Sequence, residues 1–459
     1  MFKMKTITLS LLALLLVMSF ASCASDTTSD LPLPSKDRKT YLQVRVTVDG
    51  SGDTRASRAA TGPQGGEDGD GRESGINHEN DVNSLTVLLY KSDKDDLSED
   101  ATIDYVYTFT GLNKETTSSG KDATYTTGPR EIDAAIVGKN YHVIVIANAD
   151  DMTSRCKGKK ISVVRDWQMS KVCTRDADIT KFSNFIMSSK EDAKIDFSGK
   201  SGSGTGTESD PYVVNVDIER LAARIDIIPN ETYDAASNAY YYDVKDGANI
   251  IGGFKLESVT PSKTPSKVMT MGEYLIKRVS PDAAVSKVTY FGLETKDADN
   301  KATNYVVCPW TKDRTGLTLS NAEGPASLYN VKKTTSTSTT VGEASYILDY
   351  VMENTTTDNA EDYSTGLIFK GKYYESSEWD ATKHRPIASA IGTNKEYTYT
   401  IRHSDPTGAG PKTAPMYYGI VRNNIYRVRI EGVVGKSKGL TLTIHVVPWA
   451  HYDHGEVIY

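Results

Sequence analysis

Asn424-Ile425-Tyr426-Arg427-Val428-Arg429-Ile430-Glu431 and Leu440-Thr441-Leu442-Thr443-Ile444-His445-Val446-Val447 lie within Tyr418–Tyr459, the last stretch of a 459-residue chain, and both alternate with a period of two. In the first, Tyr426, Val428 and Ile430 share a face, with Arg427, Arg429 and Glu431 on the other. In the second, Leu440, Leu442, Ile444 and Val446 stand opposite Thr441, Thr443 and His445. Side chains of a strand point alternately to its two faces, so each stretch reads as a half-buried β-strand. A long apolar strand near a terminus is a pairing hazard unless an edge is waiting for it. It either closes this chain's own sheet or completes that of another.

The rest of the chain repeats the pattern. Leu85–Tyr90, Tyr105–Phe109, Tyr141–Asn148, Tyr212–Ile218 and Ala223–Ile228 read as strands, while a stretch between Asp166 and Ser189 accommodates a short helix. Further strands are expected at Gly253–Val259, Tyr305–Trp310, Tyr346–Glu353, Leu367–Tyr374 and Tyr397–Arg402. Short strands separated by turn chemistry predict an all-β protein of tandem β-sandwiches with minor helices. The length suits two domains, with the boundary expected near Pro229–Asn238. Asp49–Asp81, Ser198–Asp210 and Thr334–Gly342 are low-complexity stretches and read as loops.

At the front, Lys3 and Lys5 precede the apolar run Ile7–Phe20, which is too short to span a bilayer and reads as a secretory signal peptide. It ends in Phe20-Ala21-Ser22-Cys23, a lipobox-like arrangement in which the Cys23 thiol would take a diacylglycerol group; the alternative is ordinary cleavage with Cys23 incidental. A polar tether then leads to Tyr41–Val48, where Leu42, Val44, Val46 and Val48 form a clean apolar face. The following loop carries Arg55-Ala56 and Arg58-Ala59, and an arginine in an exposed loop is where a trypsin-like protease cuts. Without other information, two ordinary surface arginines would look the same.

No catalytic constellation emerges. Gly199-Lys200-Ser201 lacks the glycine a phosphate loop needs, since Lys194 holds that position. His451 and His454 fall on opposite faces of a strand, and Asp93-Lys94-Asp95-Asp96 has Ser98 where a calcium loop needs glycine. Cys156, Cys173 and Cys308 are too scattered for a zinc site; a Cys156–Cys173 bridge is conceivable from sequence. The formal charge of −7, with both signs interleaved, argues against a nucleic-acid partner. The 27 tyrosines against 9 phenylalanines are a weak pointer to glycan stacking, since tyrosine is common at strand edges. No enzyme, metal or cofactor is expected.

Ile420-Val421-Arg422-Asn423-Asn424-Ile425-Tyr426, followed by Val446-Val447-Pro448-Trp449, closely resembles the C-terminus of Bacteroidetes fimbrillins in the type V pilin superfamily, nearest to shaft subunits of the minor fimbrium. Glu219-Arg220-Leu221-Ala222-Ala223-Arg224 and Tyr350–Thr355 are similar to strings of the same family. The resemblance implies two tandem transthyretin-like β-sandwich domains and a structural fimbrial subunit that mediates adhesion. It implies an arginine-specific protease acting after Arg55 or Arg58 and a first strand, with Leu42, Val44, Val46 and Val48, that is lost. It also implies a donor strand, with Leu440, Leu442, Ile444 and Val446, that fills the vacancy in another subunit. The chain then divides into a signal peptide (1–22), an acylated propeptide (23–58), an N-terminal domain (59–229) and a C-terminal domain (230–459) whose donor strand is 439–459. Its partners would be copies of itself, accessory fimbrial subunits, the protease and, through the lipid, the outer membrane. The other readings are a monomeric surface lipoprotein that binds glycan or host protein, and an anchor subunit of the same pilus.

Overall fold

The computed structural model describes residues 39–48, 79–91, 100–116, 123–165, 168–169, 171–175, 182–189, 192–198, 204–229, 239–262, 343–352, 365–401, 422–435 and 440–448, with residues 231, 234, 237 and 420 and short strands between 268 and 339. Among these residues the fold is all-β, with two short helices, α1 (Thr153–Cys156) and α2 (Ile161–Arg165). The helices precede the stretch expected to hold one. Asp151 accepts from the Thr153 N–H (2.9 Å) at the start of α1, and Gly158 takes the left-handed conformation just beyond its end.

The first sheet holds ten strands. They are β1 (Thr40–Val48), β2 (Ser84–Tyr90), β3 (Ile103–Thr110), β4 (Asn113–Thr116), β5 (Ala123–Thr126), β6 (Arg130–Ile132), β7 (Asn140–Ala147), β8 (Met187–Ser189), β9 (Ala193–Asp196) and β10 (Tyr212–Arg220). Their order is β3-β2-β7-β8-β10-β1-β5-β4, with β9 beside β7 and β6 beside β1. Alternating sequences give half-buried strands: Leu42, Val44, Val46 and Val48 on β1, and Tyr212, Val214, Val216 and Ile218 on β10, are all in the core. The continuous apolar runs of β2 and β7 are buried on both faces, as such runs require, and Met152, Cys156, Ile161 and Val164 from the helical segment join the same core.

The second sheet is built from β11 (Ala222–Ile228), β12 (Tyr240–Asp246), β13 (Asn249–Ser262), β14 (Glu343–Met352), β15 (Gly366–Glu375), β16 (Thr393–Thr400), β17 (Asn424–Val434) and β18 (Leu440–Pro448). Tyr329–Val331 and Leu317–Thr318 add short strands, and the order runs from Tyr329–Val331 through β14-β11-β17-β12-β13-β15-β16, with β18 beside β17. Its core gathers Ile225, Ile227, Tyr240, Phe254, Phe369, Tyr426 and Val428.

The change of sheet falls at Leu221, not at the expected Pro229–Asn238. Ala222–Ile228 therefore belongs to the second sheet, paired with β14 and β17. Leu221 is fully buried, and its N–H donates to the Ile186 carbonyl (2.9 Å). The chain changes sheet through a single bend at Leu221, which no glycine or proline marks. Nor do Cys156 and Cys173 bridge: Cys156 is a buried free thiol, which burial pushes up to about 11.

Residues 376–392 form a cap between β15 and β16. Trp379 lies across the β12–β13 hairpin, its Nε1 donating to Asp243 Oδ1 (2.9 Å), and a Cβ on Gly253 would stand 2.0 Å from the indole. Gly253→Ala should therefore destabilise the protein by about 1–3 kcal/mol through overpacking. The check is a lower urea midpoint with an unchanged slope.

Candidate strand-exchange site

β1 is an interior strand. On one edge it runs parallel to β10, from Leu42 opposite Tyr212 to Val48 opposite Ile218. On the other it runs antiparallel to β6, with Thr40 opposite Ile132, and to β5, with Val48 opposite Ala123. Leu42, Val44 and Val46 are 0% exposed and Val48 1%. Thr127 adds a clasp: its N–H donates to the Val44 carbonyl (2.9 Å) and its hydroxyl accepts from the Val44 N–H (2.9 Å).

The charged contacts of β1 are peripheral. Lys39 meets Glu131 at 2.8 Å and Arg45 meets Glu115 at 2.5 Å, all well exposed. The Thr126 hydroxyl holds Glu115 below the ordinary carboxylate range; partial burial opposes it and Arg45 adds to it. Exposed pairs contribute little. The strand is held by its two ladders and by its apolar face, worth ~1.5–3 kcal/mol per side chain, or roughly 6–12 kcal/mol gross.

β18 pairs antiparallel with β17 of its own chain. Leu440, Leu442, Ile444 and Val446 take register positions opposite Val433, Ile430, Val428 and Tyr426, with an irregularity between Ile430 and Gly432. The other edge of β17 is shared by β11 and β12. Among the described residues no strand pairs with the far edge of β18, so it is an edge strand. The first of the two outcomes read from the sequence is the one present here: the strand closes its own sheet.

The directions of the strands matter. β10 ends at the junction with the second domain, so β1, parallel to it, has Val48 near the junction and Thr40 at the outer end. β17 starts at the junction, where the Asn423 N–H donates to the Ala222 carbonyl (2.7 Å), and ends outward at Val434. The Leu440 end of β18 therefore lies at the outer end of the second domain.

Cys23, Arg55, Arg58, Cys308, Tyr305–Pro309, Gly199-Lys200-Ser201, Asp93–Asp96, His451 and His454 lie outside the described residues. Among those described, no group of three or more histidine, cysteine or acidic side chains is placed to hold a metal.

Residues 40–220 match the family model described as major fimbrial subunit protein (FimA). Over this stretch, which is the first of the two sheets, the chain is similar to that family. No curated protein matches it. Solved structures to which the chain is similar include the tip fimbrial protein Mfa3 from Porphyromonas gingivalis with a C-terminal truncation, at 11% identity over 90% of this chain and 100% of that one (TM-score 0.40). Another is a fimbrilin (FimA) from the same organism, at 16% identity over 90% and 98% (TM-score 0.39). A third is a fimbrial assembly protein from Parabacteroides distasonis, at 12% identity over 89% and 98% (TM-score 0.37). The family so described is one of fimbrial subunits.

The domain joint holds a buried ionic network that sequence reading overlooked. Arg224 and Asp226, two apart on β11, share a face and form a two-pronged pair at 2.9 Å through Nε and Nη2. Arg224 Nη1 reaches across to Glu79 Oε1 at 3.1 Å, and the Tyr350 hydroxyl donates to the same oxygen. Arg220 donates to the Glu79 carbonyl (2.9 Å), to Asn423 Oδ1 (2.8 Å) and to Asn80, so it ties the first domain to the turn before β17. Burial works to lower the Arg224 value, but Asp226 and then Glu79 outweigh it and hold the guanidinium charged. Burial, with the Glu79 charge next, pushes the Tyr350 hydroxyl well above its ordinary value. An arginine and an aspartate on one face of the otherwise apolar Ala222–Ile228 were the available signal; neither would be buried unpaired. Arg224→Met should cost about 3–5 kcal/mol, because it leaves Glu79 without its counter-charge and Asp226 with only the more distant Arg427 at 3.8 Å. A fall in the urea midpoint of that size, with secondary structure retained in dilute buffer, is the expected result.

Proposed function

We propose that this chain is a fimbrillin, a shaft subunit that is exported as a lipoprotein, matured by an arginine-specific protease and polymerised by strand exchange, with adhesion as its task. Acyl chains on Cys23 hold the precursor at the outer membrane; stable attachment takes more than one chain. A cut after Arg55 or Arg58 separates both Cys23 and β1 from the rest of the chain. One event thereby frees the subunit from its anchor and makes its first strand removable.

The observation that carries this reading is the match between β1 and β18. Both span nine residues, and Leu-x-Val-x-Val-x-Val at Leu42–Val48 has its counterpart in Leu-x-Leu-x-Ile-x-Val at Leu440–Val446. Loss of β1 leaves a slot bordered by ladder groups of β10 on one side and of β5 and β6 on the other. A β18 that leaves β17 by turning about the link between Gly435 and Leu440 projects from the outer end of its subunit. It enters the next slot at the Thr40 end and runs in the direction of β1, parallel to β10. Leu440, Leu442, Ile444 and Val446 then take the places of Leu42, Val44, Val46 and Val48. Backbone pairing supplies affinity and the alternate side chains supply register. A head-to-tail contact of this kind does not close on itself and builds a filament.

A second reading has its own support, because β18 pairs within its own chain. A subunit that keeps both β1 and β18 at home is a monomer on its lipid, either an anchor subunit or a surface lipoprotein that binds glycan or host protein.

Two sets of variants separate these readings. Arg55→Ala with Arg58→Ala should give an uncut monomer that retains Leu42–Val48 and forms no filaments under the electron microscope, whereas the parent, treated with trace trypsin, starts at Ala56 or Ala59 and polymerises. Filaments from the double variant would remove cleavage from the mechanism. Leu442→Asp with Ile444→Asp should leave a folded, cleavable subunit that cannot donate. Polymers of normal length from it would place the donor strand elsewhere.

A further inference from the structure

The cap at residues 376–392 is ordered by its own backbone. Glu378 accepts from the N–H groups of Ile391 (3.2 Å), Gly392 (3.3 Å) and Glu375 (3.3 Å), and its carbonyl accepts from the Ile387 N–H (2.9 Å). The bonds from Ile391, Gly392 and Glu375, in that order, hold the Glu378 carboxyl below the usual carboxylate range. What this order displays is apolar: Ile391 is 77% exposed and Ile387 40%. The other large hydrophobic side chains exposed among the described residues are Val163 and Val434. Val434 pairs with Lys245, two residues along β12 from the Asp243 that holds Trp379. Ile387, Ile391 and Val434 thus share one place, the outer end of the second domain.

We infer that this end is a docking face for a second copy of this chain, whose first domain meets it at the Thr40 end. The inference rests on the strand-exchange reading and adds a rigid contact to it. The donor strand leaves its subunit beside Val434 and enters its neighbour beside Thr40, so the two ends are brought face to face by the chain itself. At the receiving end, β6 leads into the exposed turn Ala134-Ala135, a small apolar surface that two isoleucines can cover. Charge agrees. Lys39, which departs with β1, is the cation now bound to Glu131; its loss frees Glu131 for the exposed Arg385 of the arriving cap. Exposed isoleucines held in fixed positions lose little freedom on burial, which favours such a contact.

The test uses cleaved full-length subunits. Ala135→Cys with Ile391→Cys, polymerised and treated with a short bis-maleimide, should give a covalent ladder that neither single variant nor the parent gives. Ile387→Asp with Ile391→Asp should slow polymerisation by about tenfold or more, while a synthetic peptide of residues 440–448 binds the cleaved variant as it binds the parent. Absence of the ladder, or an unchanged polymerisation rate alongside normal peptide binding, overturns the docking face and leaves strand exchange standing. Failure of the peptide to bind the cleaved parent overturns strand exchange, and the docking face with it.

Discussion

The buried apolar face of β1 is the contact on which the first domain depends. Four aliphatic side chains at or near zero exposure lie in the middle of a sheet, with β10 on one edge and β5 and β6 on the other. An edge strand can leave at the cost of one ladder. An interior strand leaves two rows of unpaired backbone groups and a bare apolar floor, and such a gap is costly until something equivalent fills it. Under the proposed cleavage, the arrangement that stabilises the domain would also supply the driving force for the strand that replaces β1.

The second domain is joined to this arrangement by charges. Arg224, Asp226, Glu79 and Tyr350 are buried together between the two sheets, and Arg220 links Glu79 and Asn80 to Asn423 at the foot of β17. The surrounding junction is apolar, with Phe182 and Phe185 edge-on to Tyr350 at 4.6 and 4.7 Å. Apolar surfaces tolerate sliding, whereas a two-pronged guanidinium–carboxylate pair accepts one geometry. The network thus fixes how β17, and with it β18, is set relative to β1 in the first sheet. In a filament joined end to end, that angle is repeated at every subunit.

Much of the fold was legible in local pattern. The period-two alternation of Leu42–Val48 and of Tyr426–Ile430 placed the right side chains inward, and the continuous runs Leu85–Tyr90 and Tyr141–Ala147 announced strands covered on both faces. The VRNNIY and VVPW strings pointed to the fimbrial family. The crossing at Leu221 left no mark, because the bend there is made by an ordinary apolar residue without glycine or proline. Arg427 illustrates another limit. Alternation assigns it to the outer face of β17, yet it is 5% exposed, since Asp226 on the neighbouring β11 receives it at 3.8 Å.

Where the long strands run and which side chains alternate along them were determined by the sequence alone, because each depends on a few neighbours along the chain. Which strands lie side by side was decided only by the tertiary structure. Nothing local distinguishes β1, locked between two partners, from β18, attached by one edge, although their apolar patterns are nearly interchangeable. The difference between them is the number of occupied edges. For β1 that number is a property of segments far along the chain, brought alongside by the packing of the whole domain.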